Sequence, residues 1–242
     1  MADEAGAGKP AADVGAAAAA SAAGAVPVPA SASGSQSACA YNFAADYAAL
    51  PARAREVLDC WFGAPGAPEY GTERKLWFSR NDAVDTMLRE RFADLIDAAN
   101  DGALDAWQAT PLGALALVIV LDQFSRNCHR NTARAFAADR KALEVAQRMI
   151  ASGADRLLPG PHQRAFVYLP FEHDETPASQ QESLRLFKAL DAEPGAGSYY
   201  RYAVRHAEII ERFGRFPHRN GLLGRISSDE ETAFLREPGS SF

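Results

Sequence analysis

Asp122 and Arg126 stand four residues apart in the stretch Leu121 to Asn127, LDQFSRN, which puts a carboxylate and a guanidinium on one helix face. With Gln123 and Asn127 they form a run of hydrogen-bonding groups directly behind an apolar segment, LGALALVIVL, Leu112 to Leu121. A helix that is apolar on every side has no solvent face, so the polar run at its end is expected to line an internal cleft or a buried network. A second set lies in Tyr168 to Glu175, YLPFEHDE, where Glu172 and His173 have side chains suited to general base chemistry. Adjacent side chains on a helix point about 100° apart, so these two could act on one ligand only where Pro170 makes the backbone irregular.

The third set is the densest. Arg212 to Asn220, RFGRFPHRN, and the following Arg225 bring Arg215, His218, Arg219, Asn220 and Arg225 together with no acid between Arg212 and Arg225. In a chain of net charge -6 this cluster has two readings. Either the arginines neutralise Asp122, Glu172 and other acids inside the fold, or they form a clamp for an anionic ligand through fork-like hydrogen bonds. His206, on the apolar stripe of the helix before them, reads as a core histidine whose partner is Glu172, Asp122 or a backbone carbonyl. The three sets lie about fifty residues apart, yet each ends or follows a strongly apolar helix, so they are expected to converge.

The elements that must position them are helical. Pro51 opens a helix with Val57, Leu58, Trp61 and Phe62 on one face, stopped by Gly63. A short helix from about Thr72 carries Trp77 and Phe78. A longer one starts near Asn81 or Asp82, and Asn100 to Gly102 end it. Thr110 and Pro111 cap the all-apolar helix, which should be the central post of the fold. Further helices are expected over about 132–152, from Pro161 to a kink or end at Pro170, from Thr176 and Pro177 onward, and over about 198–213 before Gly214. No comparable run alternates with a period of two. The fold class is all-α, built of antiparallel helix pairs joined by short loops.

Composition bounds the rest. With 48% hydrophobic and 23% charged residues the chain can bury a real core. Residues 1–40 are dominated by Ala, Gly, Ser and Pro, and read as a disordered leader before one helical domain, 41–242. Cys39, Cys60 and Cys128 form no CxxC pair, which argues against a zinc knuckle or a disulfide framework and suits a reducing, cytoplasmic setting. The longest apolar run is far short of the roughly 20 residues that cross a bilayer. The cluster of arginines is short, interleaved with apolar residues and carried by an acidic chain, which disfavours nucleic acid.

The motifs VLDCWFG, LDQFSRN, RAFVYLPFEHDE and RFGRFPHRNGLLGR stand in the order and spacing of the family called domain of unknown function 924, which the chain resembles from about Ala49 to Leu235. The resemblance implies a tetratricopeptide-like helical array around the central apolar helix, although no clear 34-residue repeat is visible. It points to Asp122, Gln123, Arg126, Asn127, Glu172, His173, Phe216, Pro217, His218, Arg219, Asn220 and Arg225. Cys60 and Ser125 stand where such sequences often carry Phe and Pro, so neither is a candidate for chemistry.

Three function classes follow. The first is an enzyme or binder of a small anionic ligand, with Glu172, His173, His218 and Asp122 as catalytic candidates. In it Gln123, Arg126, Asn127, Arg215, Arg219, Asn220 and Arg225 bind the ligand, and no cofactor is called for. The second is a helical scaffold for a protein or peptide partner, in which the polar residues form a structural network. The third, a metalloprotein using His173, His206, His218 and a carboxylate, is the least supported, because no spacing puts two ligands on one helix face.

Overall fold

In a computed structural model the described residues are 41–240, and the expectation of a disordered leader over 1–40 lies outside them. Those residues are all-α, with no strand among them. Eleven α-helices follow in order: α1 (Phe43–Ala49), α2 (Ala52–Phe62), α3 (Lys75–Phe78), α4 (Asp82–Asn100), α5 (Pro111–Val118), α6 (Ser125–Cys128), α7 (Asp139–Ser152), α8 (Pro161–His173), α9 (Pro177–Asp191), α10 (Tyr199–Phe213) and α11 (Asp229–Phe234).

The central post is real and has a distinct interior. From α5 it passes through a π-helical segment, Ile119–Phe124, into α6. Its start is capped as the sequence suggests. Thr110 Oγ1 accepts the Gly113 N–H at 3.2 Å, and Asp46 on α1 accepts the Leu112 N–H at 3.2 Å. Gly113 has a packing reason: a Cβ there would stand 2.1 Å from the Trp107 carbonyl oxygen, so only glycine lets the preceding 3-10 turn lie against the helix. Leu115 to Leu121 and Phe124 are wholly buried, and burying each large side chain contributes about 1.5 to 3 kcal/mol. Trp61 of α2 meets Phe124 and Phe166 edge to face at 5.6 Å each, while Phe92 of α4 lies 4.9 Å from Phe124. On the other side α7, α8, α9 and α10 pack in succession.

Three expectations need correction. α8 neither ends at Pro170 nor stops short of the polar motif, but runs on to His173. The carbonyls at the end of this helix are taken by Gln180, whose amide donates to Phe171, Glu172 and Asp174 at 3.3, 2.8 and 2.6 Å. The helix expected from Thr132 begins instead as a 3-10 turn, Ala133–Phe136, and becomes α-helical only at Asp139. α11 was not expected, although Ser228 and Glu231 cap it reciprocally in a capping box. Beneath it Ile209, Ile210 and Phe216 form a small second core with Phe213 and Phe234 against them.

Candidate functional site

Asp122 lies in the π-helical turn that joins the two halves of the central post, and is fully buried. The Ser125 N–H donates five residues back to Val120, which marks the widened turn; such turns recur at functional sites. Both carboxylate oxygens are engaged. Oδ1 accepts from His173 Nδ1 at 2.7 Å and from Arg126 at 3.3 Å, and Oδ2 accepts from the Gln123 amide at 2.6 Å. Burial would raise this carboxyl, but His173, Arg126 and the hydrogen bonds outweigh it and hold the group well below the usual carboxylate range. Asp122 is therefore ionised.

His173 closes α8 and carries the imidazole toward the π turn. Its pKa is lowered, first by burial and then by the Arg126 charge, against the pull of Asp122, so the ring is neutral at pH 7. With Nδ1–H donated to Asp122, the proton-accepting nitrogen is Nε2, which has no partner among the described residues. The side chain keeps 15% of its surface exposed.

Two guanidiniums lie beside Asp122 and His173. Arg126 bonds Asp139 Oδ1 at 2.9 Å, and Arg219 bonds Asp139 Oδ2 at 3.2 Å and the His173 carbonyl at 2.9 Å. Both lie over the Phe136 ring, and Arg219 is also over Phe216. Burial and the neighbouring Arg126 bring the Arg219 pKa down to about 10. His218 sits half-buried against Phe216, its pKa pushed down to about 4 by burial and by Arg219 and Arg126.

Glu172 faces elsewhere, as adjacency on a regular helix requires. Its Oε1 is 3.0 Å from His206 Nδ1, which also contacts the Tyr202 carbonyl at 2.9 Å. Burial and then the Asp122 charge raise the Glu172 carboxyl well above its ordinary value. His206 is driven down to about 3 by burial and His173. Glu172 Oε2 is buried without a partner.

The three polar sets converge, though not every residue meets at Asp122. Asn127 bonds Asp85, which Arg130 also grips. Arg215 pairs with Glu231, Asn220 bonds Ser227, and Arg225 pairs with Glu175. Arg219 pairs with Asp139 rather than with Asp122 or Glu172. Sequence reasoning missed Asp139, Glu175 and Phe136 as members. The one usable signal was charge balance, since a run of arginines without acids demands carboxylates from elsewhere. Among the described residues no three His, Cys, Asp or Glu side chains are arranged to hold a metal, and no helix is long and apolar enough to cross a membrane.

The fold and site define a class: an all-helical protein, over its described residues, whose central helix opens into a π turn bearing a buried aspartate, met by an arginine of the same helix and by a histidine from another. The chain belongs to the family described as "Bacterial protein of unknown function (DUF924)", which matches residues 57–239 and so includes every residue of the cluster. It is also similar to the solved protein of unknown function ATU0120 from Agrobacterium tumefaciens, at 39% identity over 76% of this chain and 96% of that one, with a TM-score of 0.66. No curated protein matches it.

Proposed function

We propose that the Asp122 cluster binds, and converts by proton transfer, a small anionic metabolite. The observation that carries this reading is the hydrogen bond from His173 Nδ1 to the buried Asp122, which leaves Nε2 of the lowered-pKa imidazole to accept a proton. A carboxylate that fixes an imidazole's tautomer and stabilises its protonated form is the arrangement of a general base and its orienter. In the proposed step Nε2 takes a proton from the ligand, the imidazolium charge is met by Asp122, and the negative charge left on the ligand is met by Arg126 and Arg219. Asp122 is not the base here, because it is paired on both oxygens, and Glu172 turns instead to His206. A melting-temperature panel of phosphorylated and carboxylated metabolites on the parent and on His173→Gln tests it. Glutamine keeps an N–H donor for Asp122, so the variant should fold, and a metabolite that stabilises the parent should lose its effect. No shift with any metabolite contradicts the proposal.

A second reading draws on the pairing of the arginines. Arg126, Arg215, Arg219 and Arg225 each hold a carboxylate, and of these Arg219 ties the segment 215–231 to α7 and Arg225 ties it to Glu175 just beyond α8. This supports a structural network in a tetratricopeptide-like scaffold for a protein or peptide partner, and a panel without any shift favours it.

A further inference from the structure

Away from the Asp122 cluster, a cleft of about 280 Å³ opens where α7, α8, α9 and the 3-10 turn Ala154–Leu157 meet. One wall is aliphatic, formed by Ile150, Leu186 and Leu190. The other is charged. Arg164 turns both terminal nitrogens to Glu193, leaving Nε buried without a partner, and Arg156 is exposed with no ion pair among the described residues. Between them Asp155 is only 3% exposed. Its Oδ2 accepts the Tyr168 hydroxyl at 2.8 Å, while Oδ1 is buried and bonds nothing.

An unmet carboxylate oxygen and an unmet guanidinium N–H in one cleft are each costly, and each asks for the opposite group. Asp155 Oδ1 calls for a cationic N–H donor. Arg164 Nε and the free Arg156 fork call for an anionic acceptor. The aliphatic wall calls for a branched hydrocarbon body, and the volume, just below the range of about 300 to 1,000 Å³ usual for ligand pockets, calls for a small one. We infer that this cleft binds a small zwitterion of the α-amino-acid type with an aliphatic side chain: ammonium on Asp155, carboxylate between Arg164 and Arg156, side chain against Ile150, Leu186 and Leu190. None of these residues belongs to the Asp122 cluster, so the inference does not rest on the proposed proton transfer.

Calorimetric titration of the full chain with L-leucine is the test, alongside two half-molecules: 4-methylpentanoate, which lacks the amine, and 3-methylbutylamine, which lacks the carboxylate. Saturable binding of leucine at about 1 mM or below is expected, with both half-molecules at least about tenfold weaker. Arg156→Ala alters an exposed side chain and should fold as the parent does, yet weaken leucine about tenfold or more. Asp155→Asn should do the same, and His173→Gln should leave leucine binding unchanged. Absence of saturable leucine binding, equal binding of a half-molecule, or unchanged binding in Arg156→Ala overturns the inference.

Discussion

Asp122 and Asp155 are both buried aspartates facing α8, one at its end and one at its middle, and their surroundings differ in one respect. Asp122 has donors on both oxygens, from Gln123, Arg126 and His173. Asp155 has a donor on one, from Tyr168. A carboxylate with donors on both oxygens is an organiser: it fixes the side chains around it, so chemistry passes to what it fixes, here the His173 ring. A half-engaged carboxylate in a charged cleft keeps capacity for a ligand itself. Burial alone therefore does not identify a ligand group, and the count of satisfied lone pairs does.

The largest test of the contrast replaces each aspartate by asparagine. Asp122→Asn removes the charge facing Arg126 and turns an amide toward donors, and should lower unfolding stability by about 3 kcal/mol or more. Urea unfolding of this variant measures it, and a loss under about 1 kcal/mol would show that the cluster is not organised around this carboxylate.

Acid should come next. The unfolded chain's imidazoles take up protons near pH 6.5, whereas folded His218 and His206 stay neutral down to about 4 and about 3. The unfolded state then binds more protons on acidification, so stability is complete above about pH 6.5 and falls below it. Each of these two histidines contributes a loss of about 1.4 kcal/mol per pH unit between about pH 6 and 4.5. Unfolding curves across that interval check this. A flat response would mean that the histidines are not buried neutral.

Glu172 works in the opposite sense. Its folded pKa is raised, so its favourable contribution is complete at acid pH and is lost as pH rises above the ordinary value of about 4.3. Glu172→Gln removes that loss and should gain on the parent as pH rises from 5 to 8. A difference independent of pH would show that Glu172 is ionised in the fold.

The smallest effect belongs to Asp155→Asn. Asparagine can still accept from Tyr168, and the oxygen it replaces has no partner to lose, so the cost should stay under about 1 kcal/mol. A loss as large as that of Asp122→Asn breaks the comparison.

Much of this arrangement was legible in the sequence. Thr110 with Pro111, the apolar run to Leu121, Gly153 and Gly214 mark helix ends by local chemistry, and local chemistry is what a single chain displays. The convergence of three polar sets followed because polar groups next to apolar helices have nowhere to be satisfied except among themselves. The partners themselves were hidden. Asp139 reads as an ordinary first-turn acid of α7, and only the fold brings it between Arg126 and Arg219, the latter eighty residues away. The π turn at Asp122 has no sequence mark, since a widened turn and a regular one have the same residues. Pro170 does not end the helix, and nothing local in the sequence marks that a proline will be accommodated inside α8.

The most direct measurement of the account's central claim is a pH titration of the His173 ring nitrogens by ¹⁵N magnetic resonance, assigned by comparison with His173→Gln. The account predicts a neutral ring at pH 7 with the proton on Nδ1, an unprotonated Nε2, and titration below pH 6.5. A ring that carries both protons at pH 7, or one whose proton sits on Nε2, would contradict it.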